Sequence, residues 1–148
     1  MKPKFAMYWA ASCGGCEIAV LNTHEKILDV DANFDVVFWP VAMDAKYKDV
    51  EAMEDGSILL TLFNGGIRND ENEHIAKLLR QKSKILVAFG SCACEGCIPG
   101  LANLSPVGDI VRTAFNTITT DNPNEIYPLT SYDVPEGELH IPTLSRIV

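Results

Sequence analysis

Residues 57–66 read SILLTLFNGG, an unbroken apolar run that stops at Asn64 and a double glycine. A strand with one wet face alternates apolar and polar residues, whereas a run without alternation suits a strand buried on both faces of a parallel sheet. Outward from this run the pattern recurs. Residues 84–89 (KILVAF) are a second such run, residues 4–11 (KFAMYWAA) are short, apolar and aromatic, and residues 34–40 (FDVVFWP) end at a proline. Proline has no N–H to give to a ladder and closes a strand. Between these runs the period lengthens. Ile18, Leu21, Ile27 and Leu28 are spaced as the inner positions of a helix, and so are Ile75, Leu78 and Leu79 in a helix that Asn69 or Asp70 can cap and that runs to Lys82. Ile110, Val111, Ala114 and Phe115 predict a further helix over 108–116. Residues 43–55 are charged and weakly periodic, a loop or short helix in which Val41, Val50 and Met53 are the buried candidates.

Strands that alternate with helices imply right-handed crossovers, hence an α/β fold with a central, mostly parallel sheet and helices on its faces. The loops after the first, third and fourth strands then open on one carboxyl edge, where such folds place ligands. Trp9 and Trp39, at strand positions, read as core residues. Residues 121–148 carry four prolines and no usable period, so they are expected to form an extended segment laid over the domain. With 148 residues, of which 47% are hydrophobic and 22% charged, residues 1–148 suffice for one globular domain.

The net charge of −8 has the wrong sign for nucleic acid or anionic lipid, so neither is an expected partner. No apolar run approaches the roughly 20 residues of a membrane helix. The start, Met-Lys-Pro-Lys, lacks the pattern of a secretory leader, and a cytoplasmic, reducing location is expected. There the five cysteines, an odd number, are better read as metal ligands than as a disulfide framework.

Those cysteines lie in two loops at the predicted carboxyl edge. Cys13-Gly-Gly-Cys16 follows the first strand, and Gly90-Ser-Cys92-Ala-Cys94-Glu-Gly-Cys97 follows the fourth. The first motif alone is weak, because a thioredoxin-like redox pair has the same spacing and two buried thiols are a third reading. Together the loops offer five sulfurs where a four-iron cluster needs four. Structural zinc is the chemical rival, since paired CxxC units also make tetrahedral zinc sites, but those sit on short loop-rich modules and not above a buried sheet. Gly65-Gly66 lies between the loops, either as a simple turn or to let a cofactor approach. A flavin would want a Ser/Thr-rich phosphate loop after strand one, where the cysteines stand. Glu17 falls in the first turn of a helix, where a carboxylate gains from the helix dipole with or without chemistry. His24, His74 and His140 are scattered and read as surface or core residues.

The stretches WAASCGGCEIAVLN, LFNGGIRNDEN and GSCACEGCIPGL resemble the N-terminal domain of the small subunit of [NiFe] hydrogenases, specifically the cytoplasmic F420-non-reducing (methyl-viologen-reducing) group. The likeness covers nearly the whole chain. The related 20 kDa subunit of respiratory complex I has a tandem Cys-Cys near its first motif, and here two glycines separate the pair. The resemblance implies a flavodoxin-like three-layer sandwich holding a proximal [4Fe-4S] cluster, which relays electrons between the Ni–Fe site of a large subunit and further clusters. It implies Cys13, Cys16 and Cys92 as three ligands, and Glu17 as a residue on a proton path facing the large subunit. The family's fourth ligand lies in a Gly-Cys-Pro-Pro motif not found before Val148, so the chain is expected to be an N-terminal fragment, with Cys94 or Cys97 as possible substitutes. Such a piece is expected to expose the apolar surface that meets the large subunit. A further electron-transfer subunit and heterodisulfide reductase are the other implied partners. A zinc-binding or docking module of the same fold, or the equivalent subunit of a complex I-like assembly, is the alternative.

Overall fold

A computed structural model describes residues 1–143. In chain order, β1 (Lys4–Trp9) leads to α1 (Gly15–Leu21), a 3-10 turn (His24–Lys26) and α2 (Ile27–Asn33), and then to β2 (Asp35–Phe38) and α3 (Tyr47–Glu51). β3 (Ile58–Asn64), α4 (Asp70–Lys82) and β4 (Ser83–Phe89) follow, succeeded by α5 (Ser91–Glu95), α6 (Cys97–Gly100), a 3-10 turn (Leu101–Leu104) and α7 (Val107–Asn116). A hairpin of β5 (Ser131–Val134) and β6 (Gly137–His140) completes the described residues.

The four strands lie in the order β2-β1-β3-β4 and every pairing is parallel. This is the flavodoxin-like order, whose switch point between the first and third strands opens a crevice at the carboxyl edge. Two cores hold the layers. On one face Ala6, Tyr8, Phe38, Ile58 and Phe63 meet Val50 of α3 and Ile75, Leu78 and Leu79 of α4. On the other, Phe5, Met7 and Trp39 meet Val20 of α1, Ile27 of α2, and Leu60, Leu62 and Phe89. Fully buried side chains such as Met7, Phe38 and Ile58 each contribute about 1.5–3 kcal/mol, which is why the apolar runs of β1 and β3 become the inner strands. α4 starts where Asn69, in extended backbone, accepts a hydrogen bond from the Asn72 N–H at 2.8 Å. Acidic residues fill its first turn and Arg80 and Lys82 its last, in the sense the helix dipole favours.

Several expectations are corrected. Ile18, Leu21 and Leu28 are 56%, 47% and 67% exposed, because α1 turns Glu17 and Val20 inward and, after the 3-10 turn, α2 turns Ile27 inward. Val41 is exposed, whereas Val50 is buried and Met53 packs against the core. Trp39 is a core residue but Trp9 is 42% exposed, its indole N–H donating to the Ser12 carbonyl at 3.1 Å. The segment expected to be merely extended contains the β5–β6 ribbon, turned at Pro135 and Glu136. Residues 144–148 of that segment lie outside the described residues. The ribbon is tied to the start of α4: Asp70 takes the Thr143 N–H at 2.9 Å on one oxygen and lies 3.1 Å from His140 Nε2 with the other. Partial desolvation opposes the charge on Asp70, yet the Thr143 N–H, the His140 ring and the Glu71 N–H hold its carboxyl below the usual range.

β4 is an edge strand. Its Ile85 and Val87 pair in register with Leu60 and Leu62 but stand exposed, as do Ile98, Leu101 and Leu104 after the second cysteine loop. Among the described residues no helix is long and apolar enough to cross a membrane.

Candidate metal centre

Two glycines shape the meeting of the cysteine loops. After β1 the chain turns through Gly14 at φ +79, and a Cβ there would lie 2.6 Å from the Trp9 ring. The exposed indole is thus the floor of the turn. Cys13 sits on the turn, its sulfur accepting from the Gly15 N–H at 3.4 Å, and Cys16 follows on α1. After β4, Gly90 adopts φ +87 and ψ 165, which only glycine visits readily. A Cβ on Gly90 would stand 2.2 Å from Cys16 Sγ, so the first loop's second sulfur lies directly against the second loop.

Cys92 follows on α5, a helix that packs against both β3 and β4. Burial pushes the Cys92 thiol up, and the charge and hydrogen bond of Cys97 add to this, followed by the charges of Cys13 and Cys16. Cys13, Cys16 and Cys97 therefore all lie within electrostatic range of Cys92. Cys94 does not share this arrangement, because its S–H donates to the Ala88 carbonyl at 3.3 Å, back toward the sheet. Gly96 turns left-handed between α5 and α6, and Cys97 is itself at φ 43, so the second loop doubles back and returns Cys97 toward Cys92. All five cysteines are free. Among the described residues no group of three or more His, Cys, Asp or Glu is gathered around the position of a single metal ion. His74 lies 3.6 Å from Glu51 and His140 pairs with Asp70. His24 is exposed in the 3-10 turn.

The donor set fits an iron–sulfur cluster. Soft thiolates on two turns are its ordinary ligands, and Gly90 lets the second loop close directly on the Cys16 sulfur of the first.

Beneath the thiols the edge is polar and unsatisfied. Glu17, one residue past Cys16, is 2% exposed and neither carboxylate oxygen has a hydrogen-bond partner. Burial pushes its carboxyl up, and the neighbouring Trp39 indole N–H pulls weakly the other way without closing a bond of normal geometry. Asn64, at the end of β3, is 0% exposed with both its amide nitrogen and oxygen unpartnered. Buried polar groups are nearly always paired, so Glu17, the Trp39 indole and Asn64, unpartnered at one sheet edge, stand out. Sequence reasoning singled out Glu17 but missed Asn64; the available signal was a polar residue ending an otherwise apolar inner strand. Gly65 has a different role from the expected approach of a cofactor. A Cβ there would lie 2.8 Å from the backbone of Ala10, so this glycine admits the chain's own first loop.

Residues 13–129, which include both cysteine loops, match the family model described as NADH ubiquinone oxidoreductase, 20 Kd subunit. The chain is 45% identical over 144 residues to the iron-sulfur subunit of the F420-non-reducing hydrogenase of Archaeoglobus profundus, covering 96% of this chain and 45% of that protein. It is 37% identical over 148 residues to the corresponding F420-non-reducing hydrogenase subunit of Methanothermobacter thermautotrophicus, covering 99% and 46% respectively. The chain thus spans slightly less than half the length of these curated relatives. In three dimensions it superposes with a TM-score of 0.77 on a chain of the crystal structure of an NAD+-reducing [NiFe]-hydrogenase in the H2-reduced state. That match has 24% identity and covers 99% of this chain and 75% of the other, a likeness of fold. The chain belongs to the family of the 20 kDa subunit of NADH ubiquinone oxidoreductase.

Proposed function

We propose that this chain is the electron-relay domain of the small subunit of a [NiFe] hydrogenase, with Cys13, Cys16 and Cys92 holding a [4Fe-4S] cluster. The observation that carries the reading is the contact of Cys16 Sγ with Gly90, two residues before Cys92, which joins thiols from opposite ends of the domain at one edge. A bound cluster would supply one-electron transfer. The chain's own residues anchor it by thiolate, bring the two loops together through the bare backbone of Gly90, and shield one side with the sheet edge. The hydrogen bond between Cys97 and Cys92 supports Cys97 as a fourth ligand over Cys94, which is engaged with the Ala88 carbonyl. A cysteine from sequence outside these residues is the competing fourth ligand. Glu17, buried beside Cys16 with a raised carboxyl, suits a group that carries a proton past the site.

The relatives named as hydrogenase subunits support a large subunit with the Ni–Fe centre as partner. The family name leaves a complex I-like assembly as the second reading. The test is anaerobic purification of the full-length protein with whatever accompanies it. About four irons and matching acid-labile sulfide per chain, with a nickel-containing partner, is the expected result. Stoichiometric zinc without sulfide rejects the cluster, and a partner without nickel rejects the hydrogenase.

A further inference from the structure

The reading above leaves Asn64 without a role. Its amide is fully buried, with neither nitrogen nor oxygen bonded. Its backbone is fixed from both sides: the Asn64 carbonyl accepts from the Ala10 N–H at 2.7 Å, and the Ala10–Ala11 backbone crosses directly over Gly65. The amide is therefore held in place, not left over from a mobile turn.

Its place in the sheet is specific. Asn64 pairs in register with Trp9 on one side and Phe89 on the other, the last residues of the two strands that run into the cysteine loops. Alternation along β3 puts its side chain on the face of Leu60 and Leu62, the face packed by α1 and Trp39. The Trp9 ring beside it is the floor of the Cys13 turn, and α5, which carries Cys92, packs over β3. Asn64 thus stands at the β1/β3 switch point, between both thiol loops. An amide has two N–H donors, and in the described residues they meet no acceptor. Thiolates and the sulfides of a cluster are acceptors that arrive only on loading.

We infer that the Asn64 side-chain amide donates a hydrogen bond to a sulfur of the cluster held by Cys13, Cys16 and Cys92, and so raises its reduction potential. The inference rests on the cluster reading above. The reduced cluster carries one more negative charge, so an N–H···S bond stabilises it more than the oxidised form. The same amide, unpartnered before loading, destabilises the empty protein.

The test uses the full-length protein with its partner subunit, in wild-type form and as Asn64→Leu and Asn64→Asp. Leucine is close in volume and needs no partner; aspartate keeps the shape but replaces the donor by an acceptor. In Asn64→Leu the reduced-to-oxidised ratio of this cluster at fixed poise, followed by EPR titration, is expected to fall about tenfold, equivalent to about 59 mV for one electron. Asn64→Asp is expected to fall at least as far. Before cluster loading, Asn64→Leu is expected to melt about 3 °C or more above wild type. A merely structural amide would move melting but not the ratio. Iron and sulfide in all three proteins with ratios within twofold overturn the inference. So does loss of iron from both variants, because the residue would then serve assembly and not potential. Wild-type protein without iron or sulfide overturns instead the cluster reading beneath it.

Discussion

Replacing Gly90 by alanine tests whether the two cysteine loops meet as described. Two costs are separable. At φ +87 and ψ 165 an alanine pays about 1–3 kcal/mol of backbone strain. Its Cβ would also begin 2.2 Å from Cys16 Sγ, where ordinary contact is about 3.6 Å, so the sulfur and the loop must part by about 1.4 Å. A ligand set holds its productive geometry to within about 0.5 Å, and the displacement is nearly three times that. Strain alone should lower Tm by about 2–12 °C and leave the fold intact. Cluster loading should fall by more than about half, because Cys16 is the ligand displaced. The control is Gly137→Ala, where φ is +130 but nothing lies within 4 Å of the added Cβ, so strain comes without a clash at sulfur. Iron and acid-labile sulfide per chain after anaerobic reconstitution, with thermal melts on the same samples, read both effects. Wild-type iron and sulfide in Gly90→Ala would refute the meeting of the loops. Equal iron loss in Gly137→Ala would show that strain, not the contact, governs loading.

Burial raises the Glu17 carboxyl, so the folded chain holds that proton more tightly than the unfolded one. Stability is then greatest below the ordinary carboxylate value of about 4.3 and falls as pH rises through the folded value. Glu17→Gln should therefore melt higher than wild type at pH 8, with the advantage vanishing near pH 4. A pH-independent difference in thermal melts counts against this account. In the second loop, Cys97→Ser removes the largest charge and the hydrogen bond acting on Cys92, so the Cys92 thiol should alkylate at lower pH than in wild type, read by mass spectrometry. Cys94→Ser should leave that profile unchanged, because Cys94 is engaged with Ala88. If Cys97 completes the ligand set, its loss should also cut iron content while Cys94→Ser keeps it.

The sheet was legible because its strands are apolar runs punctuated by glycine, proline or cysteine, but the edge position of β4 was not, because its run reads like that of the inner β3 while Ile85 and Val87 stand exposed. The helix after the first loop was half legible: its apolar spacing assumed one continuous phase, which the turn at His24–Lys26 breaks. The β5–β6 ribbon escaped notice because its strands are four residues each, mostly exposed, and set among prolines, so no burial pattern marks them. Both thiol loops were plain in the sequence. Which surplus thiol turns toward Cys92 was not, since that depends on the left-handed turn at Gly96 and the unusual backbone of Cys97. Asn64 was hidden for a related reason: a polar residue before Gly-Gly looks like the beginning of a turn, and only its complete burial without partners distinguishes it.

The Asp70 clip governs where the hairpin's far end comes to rest. By gripping both the ring of His140 and the main chain of Thr143, it returns a polypeptide that left the thiol loops more than forty residues earlier to the first turn of α4. That turn springs from the end of β3, on the same rim as the cysteines. Thr143 is thereby held beside the rim and not at the far pole of the domain. Releasing the clip would free the end of the ribbon from that rim.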